Sequence, residues 1–460
     1  MLIQDLSPEI DAKIRSFNSS HPNTIELANN GVPLHPESID RLLQTAKANP
    51  HAIIAFQPTL DVTSELGLPA YPILAYVYPP EYQQIWSQIK PRIAQFLQIP
   101  NFDRLPLLPL NQISKEEQVH YFANHYGAVT PPDSVRVIVG NTCNLQCVMC
   151  PYHSPELKPT HTTDFFQGKK FMSWEMMLRI AEDCGQTRSK VLIGSVEEPL
   201  LHPQLMDFIA LCRSKGVPYI HMTTNGQLLN EEKAQALLEA GLTSIDISID
   251  GATTATYKRV RGSDLAKVEA NVNNFIKLRD RLGANCEVRT SFVRNDGVTA
   301  EEEELFVDRW LPKTDSLFVL NMAKFENTNM NLYGDYTPDS MSKQLKYYIE
   351  KAGGRWSCLF PFTEMAILPD GKIYYCIESL FRLGFDRDNE SLGDYNRQSL
   401  AQIWSGDLFR ALRTDLILNK LGKRKACQNC LMWKSQVIDR KVTNNAQVFS
   451  TTVTDIHVKK

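Results

Sequence analysis

The chain has 460 residues, 49 Lys+Arg against 52 Asp+Glu, a formal net charge of −3 and 43% hydrophobic residues. It is long enough for two or three domains with buried cores, and the balanced charge implies no basic face, which argues against nucleic acid as a partner. No segment approaches the ~18 apolar residues of a membrane span, and the N-terminus lacks a basic-then-apolar signal pattern, so a cytoplasmic protein with no membrane partner is expected.

Residues 1 to about 130 carry no catalytic signature. Helical periodicity covers Pro8–Phe17, Pro36–Ala48, Tyr82–Leu97 and Lys115–Tyr126, with strand-like runs at Ala52–Phe56 and Tyr71–Tyr78. This reads as an α+β accessory domain, either a structural cap or a substrate-recognition domain. The Pro-rich stretches at Pro100–Pro109 and Pro131-Pro132 read as linkers.

From residue 131 to about 330 strands and helices alternate. Strands are expected at Val135–Val139, Lys190–Gly194, Tyr219–Thr223, Ser244–Ile249, Asn285–Val293 and Leu317–Asn321. Helices are expected at Ser173–Cys184, Pro203–Lys215, Glu231–Ala240, Lys267–Leu282 and Ala300–Trp310, with Ser173 and Asn230 as caps and Gly283 as a stop. Six βα units imply a parallel sheet with right-handed crossovers and fall short of a closed eight-stranded barrel. The expectation is an α/β fold: a partial (β/α)6 TIM-like barrel between an N-terminal α+β domain and a small Cys-rich C-terminal domain.

The strands also describe the lumen. Ser244-Ile245-Asp246-Ile247-Ser248-Ile249-Asp250 alternates strictly, and Glu287, Arg289 and Ser291 share one face opposite Val288 and Phe292. With the apolar face against the helices, the polar face points inward, where an ordinary barrel is filled with branched apolar side chains. A polar lumen suits a polar ligand.

Directly after the first strand comes Cys143-Asn144-Leu145-Gln146-Cys147-Val148-Met149-Cys150, a Cys-x3-Cys-x2-Cys loop. Three soft thiolates in so short a loop can converge on zinc or on an iron–sulfur cluster. Zinc normally takes a fourth protein ligand; no His falls inside the loop, and His153 follows Cys150 closely. A three-Cys [4Fe-4S] cluster with one open iron is the natural reading. The other special stretches follow strands two to four: Glu197-Glu198-Pro199, Thr223-Thr224-Asn225-Gly226, and Ser248-Ile249-Asp250-Gly251 with Arg261 beyond it. All lie at the C-terminal ends of strands, where active-site groups of parallel barrels gather.

Together these stretches resemble the radical S-adenosylmethionine (radical SAM) superfamily over about 190 residues. The resemblance implies that Cys143, Cys147 and Cys150 hold a [4Fe-4S] cluster whose open iron chelates the cofactor. It implies cofactor contacts from Glu197 and Glu198, where Val196-Glu197 replace the family's two glycines, and from Thr223, Asn225, Ser248, Asp250 and Arg261. Phe292, within Val288–Val293, is expected on the adenine side.

The third region, 331–440, carries Cys358, Cys376, Cys427 and Cys430, with an Asp370-Gly371 hairpin turn before Cys376. It resembles the SPASM/twitch domain, which implies a probable auxiliary [4Fe-4S] cluster on these four cysteines; a structural zinc is the alternative. Cys376 is either its fourth ligand or a free thiol that donates hydrogen. Residues 441–460 form a polar tail, and Cys184, Cys212 and Cys286 read as core. The layout is similar to peptide-modifying members, including epimerases. It implies a ribosomally made peptide with a leader segment as substrate, Cα epimerisation as the leading chemistry, and an external flavodoxin- or ferredoxin-type electron donor. Oxidation of a sugar or small alcohol, peptide cross-linking, or a non-catalytic metal scaffold are the alternatives.

Overall fold

The computed structural model describes residues 131–150, 152–155, 171–294, 298–321, 358, 360–377, 391–428, 430, 439–442, 446–450 and 454–459, together with the backbone of four N-terminal strands. The chain divides into two compact units: 1–131 with 349–362 and 401–424, and 132–348 with 363–400 and 425–460.

In the first unit, strands β1 (Ile25–Ala28), β2 (Ile53–Phe56), β3 (Ala75–Tyr78) and β4 (Leu107–Pro109) form one sheet in that order. Neighbours pair parallel, antiparallel and parallel in turn. Strands β2 and β3 fall within the expected runs. β4 lies inside the stretch read as a linker, because a three-residue edge strand tolerates proline at its end. The four helices expected before residue 130 lie outside the described residues.

The second unit is built on six parallel strands in sequential order: β5 (Ser134–Val137), β6 (Lys190–Ile193), β7 (Ile220–Thr224), β8 (Ser244–Ser248), β9 (Glu287–Arg294) and β10 (Ser316–Asn321). The sheet is not closed. Past β5 it continues through β11 (Glu364–Ile367), β12 (Lys372–Tyr374) and β13 (Gly393–Asp394). Beyond β10 it runs through the C-terminal strands β14 (Asp439–Val442), β15 (Ala446–Ser450) and β16 (Thr454–Lys459), with β16 antiparallel to β10. The tail that the sequence left without structure therefore extends the barrel sheet, its β-branched residues supplying strands.

The helices are α1 (Trp174–Thr187), α2 (Leu205–Ser214), α3 (Glu231–Glu239), α4 (Thr254–Arg261), α5 (Leu265–Leu282) and α6 (Ala300–Trp310). Ser173, Asn230, Thr253, Asp264 and Thr299 each cap an N-terminus by accepting a backbone N–H. Helix α4 was not expected from sequence: its Thr-rich, β-branched start is a poor helix former, and the Thr253 cap together with burial of Tyr257 and Val260 overrides propensity. The apolar faces behave as read. Ile245, Ile247, Val288, Leu317 and Val319 are fully buried toward the helices. Cys184, Cys212 and Cys286 are buried as well, consistent with a core role.

Candidate active site

The Cys143–Cys150 loop leaves β5 and is held from three sides. Its apolar residues Leu145 and Met149 pack with Cys147 against Val260 of α4, and Val148 N–H donates to the Val260 carbonyl at 3.0 Å. Glu198 N–H donates to the Thr142 carbonyl at 3.0 Å. Asn225 Nδ2 donates to Asn144 Oδ1 at 2.8 Å and lies 3.8 Å from Cys143 Sγ.

The sulfurs receive backbone donors: Leu145 N–H to Cys143 Sγ (3.4 Å), and Tyr152 and His153 N–H to Cys150 Sγ (3.5 and 3.3 Å). Burial nevertheless pushes the Cys143 thiol up to about 11 and Cys150 up to about 12. Buried thiols of this kind become thiolates when a cation binds them, and the N–H donors then stabilise the charge on sulfur. His153 is not a candidate ligand through Nε2, which meets the Val196 carbonyl at 2.8 Å.

The two acids after β6 are both engaged by protein. Glu197 accepts from Val139 N–H (2.8 Å) and from Val196 N–H (3.1 Å), which ties the β6 loop to the end of β5. Burial lifts its pKa to about 7 against the pull of those donors. Glu198 is buried and accepts from Thr224 Oγ1 (2.7 Å), Asn225 N–H (2.8 Å) and Leu200 N–H (3.1 Å), which ties the same loop to the end of β7. The turn requires Gly194, at φ +91°, where a Cβ would sit 2.8 Å from both Pro199 Cγ and the Thr223 carbonyl.

After β8, Asp250 adopts φ +52° and is fully buried. Its Oδ1 accepts from Val293 N–H at 2.8 Å, and its Oδ2 pairs with Arg261 Nη2. Burial opposes the charge on Arg261, but Asp250 and Cys147 outweigh it and keep the guanidinium ionised. Its Nε–H has no protein partner. Ser248 Oγ accepts from Ser291 Oγ at 3.2 Å. Thr223 Oγ1 lies 3.4 Å from His221 Nε2.

Phe292 departs from expectation. It is fully buried on the helix-facing side of β9, its ring 5.0 Å from that of Phe306 of α6. The same alternation that turns Arg289 and Ser291 inward turns Phe292 outward, so it cannot wall the lumen.

Within the lumen, Arg289 pairs with Glu287, Tyr219 OH donates to Glu287 at 3.2 Å, and Arg136 pairs with Glu364 at 3.1 Å. Burial holds His221 down to about 3, with Arg289 and Arg136 adding to the shift, so its imidazole is neutral. His221 and Ser316 were not singled out from sequence. Asn144 and Thr224 carried a signal by position alone, the first inside the Cys loop and the second in the stretch after the third strand.

At the C-terminal side, Cys376 is buried two residues beyond β12. Tyr374 packs in one cluster with Ile138, Tyr152 and Val196, and Ile377 and Cys150 border that cluster. Cys427 Sγ lies 3.7 Å from Tyr375 OH, and Cys430 N–H donates to the Cys427 carbonyl at 3.3 Å, closing the Cys-x2-Cys turn. Cys358 is half-buried and belongs to the other unit.

The family model for the radical SAM superfamily matches residues 137–288, and that for the SPASM iron–sulfur cluster-binding domain matches 358–431. The chain thus carries a radical SAM domain followed by a SPASM domain. Its core domain implies a [4Fe-4S] cluster and SAM, and the SPASM domain implies auxiliary iron–sulfur chemistry. The three-thiol loop with its N–H donors fits the first, and Cys376, Cys427 and Cys430 are thiols within the SPASM match. Among similar proteins is the tungsten-containing aldehyde ferredoxin oxidoreductase cofactor-modifying protein of Pyrococcus furiosus, 25% identical over 322 residues, 64% of this chain and 85% of that one. A GTP 3′,8-cyclase of Alkaliphilus oremlandii is 32% identical over 182 residues, 39% of this chain; the match spans about half (52%) of the cyclase. The crystal structure of SuiB from Streptococcus suis shares the fold at 15% identity, with a TM-score of 0.50 over 72% of this chain and 79% of that one. Among the described residues no helix is long and apolar enough to cross a membrane.

Proposed function

We propose that this radical SAM enzyme modifies a ribosomally made peptide, with inversion at Cα, L to D, as its leading reaction. Cys143, Cys147 and Cys150 would hold the cluster that binds SAM, and the pair would supply radical chemistry able to remove a hydrogen atom from substrate. We assign SAM contacts to the β6 loop at Glu197 and Glu198, and to Thr223, Asn225, Ser248, Asp250 and Arg261, whose unpartnered Nε–H suits the carboxylate of SAM. Cys358, Cys376, Cys427 and Cys430 are assigned to the auxiliary site.

The observation that carries the choice of chemistry is the placement of Cys376. Cys376 is buried, and Tyr374 and Ile377 on either side of it in sequence pack in the apolar cluster that Cys150 borders, which supports a thiol role near the Cys loop. In that role Cys376 S–H returns a hydrogen atom to Cα from the face opposite abstraction. The thiyl left behind takes up one electron and one proton, the electron coming from a flavodoxin- or ferredoxin-type donor. Residues 1–130 would recognise the leader segment; among the described strands, β1 and β4 each have a neighbour on one side only, which suits strand addition. The oxygen-sensitive chemistry suits the cytoplasm.

A second reading, radical oxidation of a small molecule or peptide cross-linking, is favoured by the Tyr375–Cys427 contact, in which the residue before Cys376 meets a cysteine of the Cys-x2-Cys turn, and this supports a ligand role. The cyclase named above acts, by its name, on GTP, so a small substrate has precedent among relatives. The test is anaerobic turnover of a candidate precursor peptide with SAM and reductant in heavy water. Deuterium at one Cα, lost in Cys376→Ala at unchanged iron content, is the expected result. Product without solvent deuterium, or loss of auxiliary iron in Cys376→Ala, overturns the epimerase reading.

A further inference from the structure

Three neighbouring strands place one unsatisfied polar atom each in a row across the lumen. Asp246 of β8, Arg289 of β9 and Ser316 of β10 are directly opposite one another in the sheet register. Asp246 is 8% exposed and Ser316 5% exposed. Asp246 Oδ1, Arg289 Nε and Ser316 Oγ are all buried with no protein hydrogen-bond partner. The Arg289 side chain is otherwise held in place by Glu287 and by stacking over Phe318 at 5.3 Å. An unmet buried polar atom costs about 1–3 kcal/mol, so three in register are an expensive arrangement for a merely structural sheet.

The row has a chemical sense. Asp246 offers an acceptor, Arg289 Nε–H a donor, and Ser316 either. Around it the described charges cancel, Arg289 with Glu287 and Arg136 with Glu364, while His221 is neutral. Asp246 adds one further negative charge, which burial disfavours, lifting its pKa to about 6, while Arg289 opposite it favours the ionised form. Such a site rejects phosphate or carboxylate and accepts a group that presents an N–H donor beside an oxygen acceptor. We propose that the Asp246–Arg289–Ser316 row is the substrate subsite of the lumen, that it grips an amide of the substrate through Asp246 and Arg289, and that it disfavours anionic substrates such as nucleotides. This rests on the peptide reading above and names the substrate group that the lumen holds.

The experiment uses reconstituted holoenzyme with SAM bound and no reductant, probed by N-methylacetamide, glycerol and inorganic pyrophosphate in equilibrium titrations. Wild type should bind N-methylacetamide, with pyrophosphate at least about tenfold weaker, and Asp246→Asn should weaken N-methylacetamide by about 10- to 100-fold, the range expected for losing a hydrogen bond to a charged acceptor. Thermal unfolding of the same variant, at unchanged iron content, should show Tm unchanged or raised. Preference for pyrophosphate, equal N-methylacetamide affinity in Asp246→Asn, or a marked fall in Tm overturns the proposal; equal affinity is also the result expected if the row holds ordered water only. Preference for glycerol overturns the amide class in favour of an alcohol. Deoxyadenosine formation by wild type is read separately: its absence defeats the enzymatic reading without touching the binding result.

Discussion

The rim of the barrel and its lumen use the same residue types in opposite ways. At the rim, Glu197, Glu198, Asn225 and Asp250 spend their oxygens on backbone and side-chain donors from neighbouring loops. Four loops from four strands are thereby locked around three cysteines, with Arg261 Nε left over. In the lumen, Asp246, Arg289 and Ser316 keep one atom each unspent. Buried polar groups that are satisfied rigidify a site, whereas unsatisfied ones mark where a ligand completes the network. The rim is a frame and the lumen row is a receptor.

If that contrast is right, rim changes should be costly and lumen changes mild. The largest effect is expected for Cys143→Ala, Cys147→Ala or Cys150→Ala, each losing about four irons per chain together with all deoxyadenosine formation; iron analysis and chromatography measure both. Next comes Asp250→Asn. Asparagine tolerates the left-handed backbone at φ +52°, so the loss isolates the charge pair with Arg261, and breaking such a buried pair should cost about 3–5 kcal/mol in urea unfolding. Glu198→Ala leaves three donors without an acceptor and should cost about 3 kcal/mol, with Glu198→Gln clearly milder. Equal costs for the two Glu198 variants would break the bracket interpretation.

Within the lumen, His221 gives a pH signature. Its folded pKa, about 3, lies below the ordinary 6.5, so the fold favours the neutral ring. That contribution is complete above the unfolded pKa and is lost as pH falls below it toward 3. Relative to His221→Gln, wild type should lose about 1 kcal/mol between pH 6.5 and about pH 5.5, read as a difference in urea midpoints. The smallest loss is expected for Ser316→Ala, which should be as stable as wild type or more so, because no protein donor or acceptor loses a partner and an unmet buried hydroxyl is removed. A drop of several kcal/mol there would place Ser316 in the frame and dissolve the distinction.

Much of this was legible in the chain. The alternation at Ser244–Asp250 placed Asp246 inward, because strand periodicity assigns faces without any knowledge of neighbours. The cap residues Ser173 and Asn230 and the Gly283 stop marked helix ends for the same local reason. Phe292 shows the limit: its place within Val288–Val293 suggests the cofactor wall, but strand periodicity turns it to the face away from Arg289, onto Phe306. The rim bonds lie beyond sequence reading. Glu198 meets Thr224 and Asn225 across 26 and 27 residues, and nothing local in Glu197-Glu198-Pro199 says that both carboxylates are bound by backbone.

By itself the sequence determined the βα alternation, the open six-stranded count, the three-thiol loop and the polarity of the lumen, all properties of spacing within a few residues. The tertiary structure decided what depends on register between strands. It set Asp246 and Ser316 opposite Arg289 from the strands on either side, joined the C-terminal strands to β10, and filled both acids of the β6 loop with protein donors. Hydrogen bonding is short-ranged and directional, so whether a polar atom is satisfied is known only when its neighbours are in place.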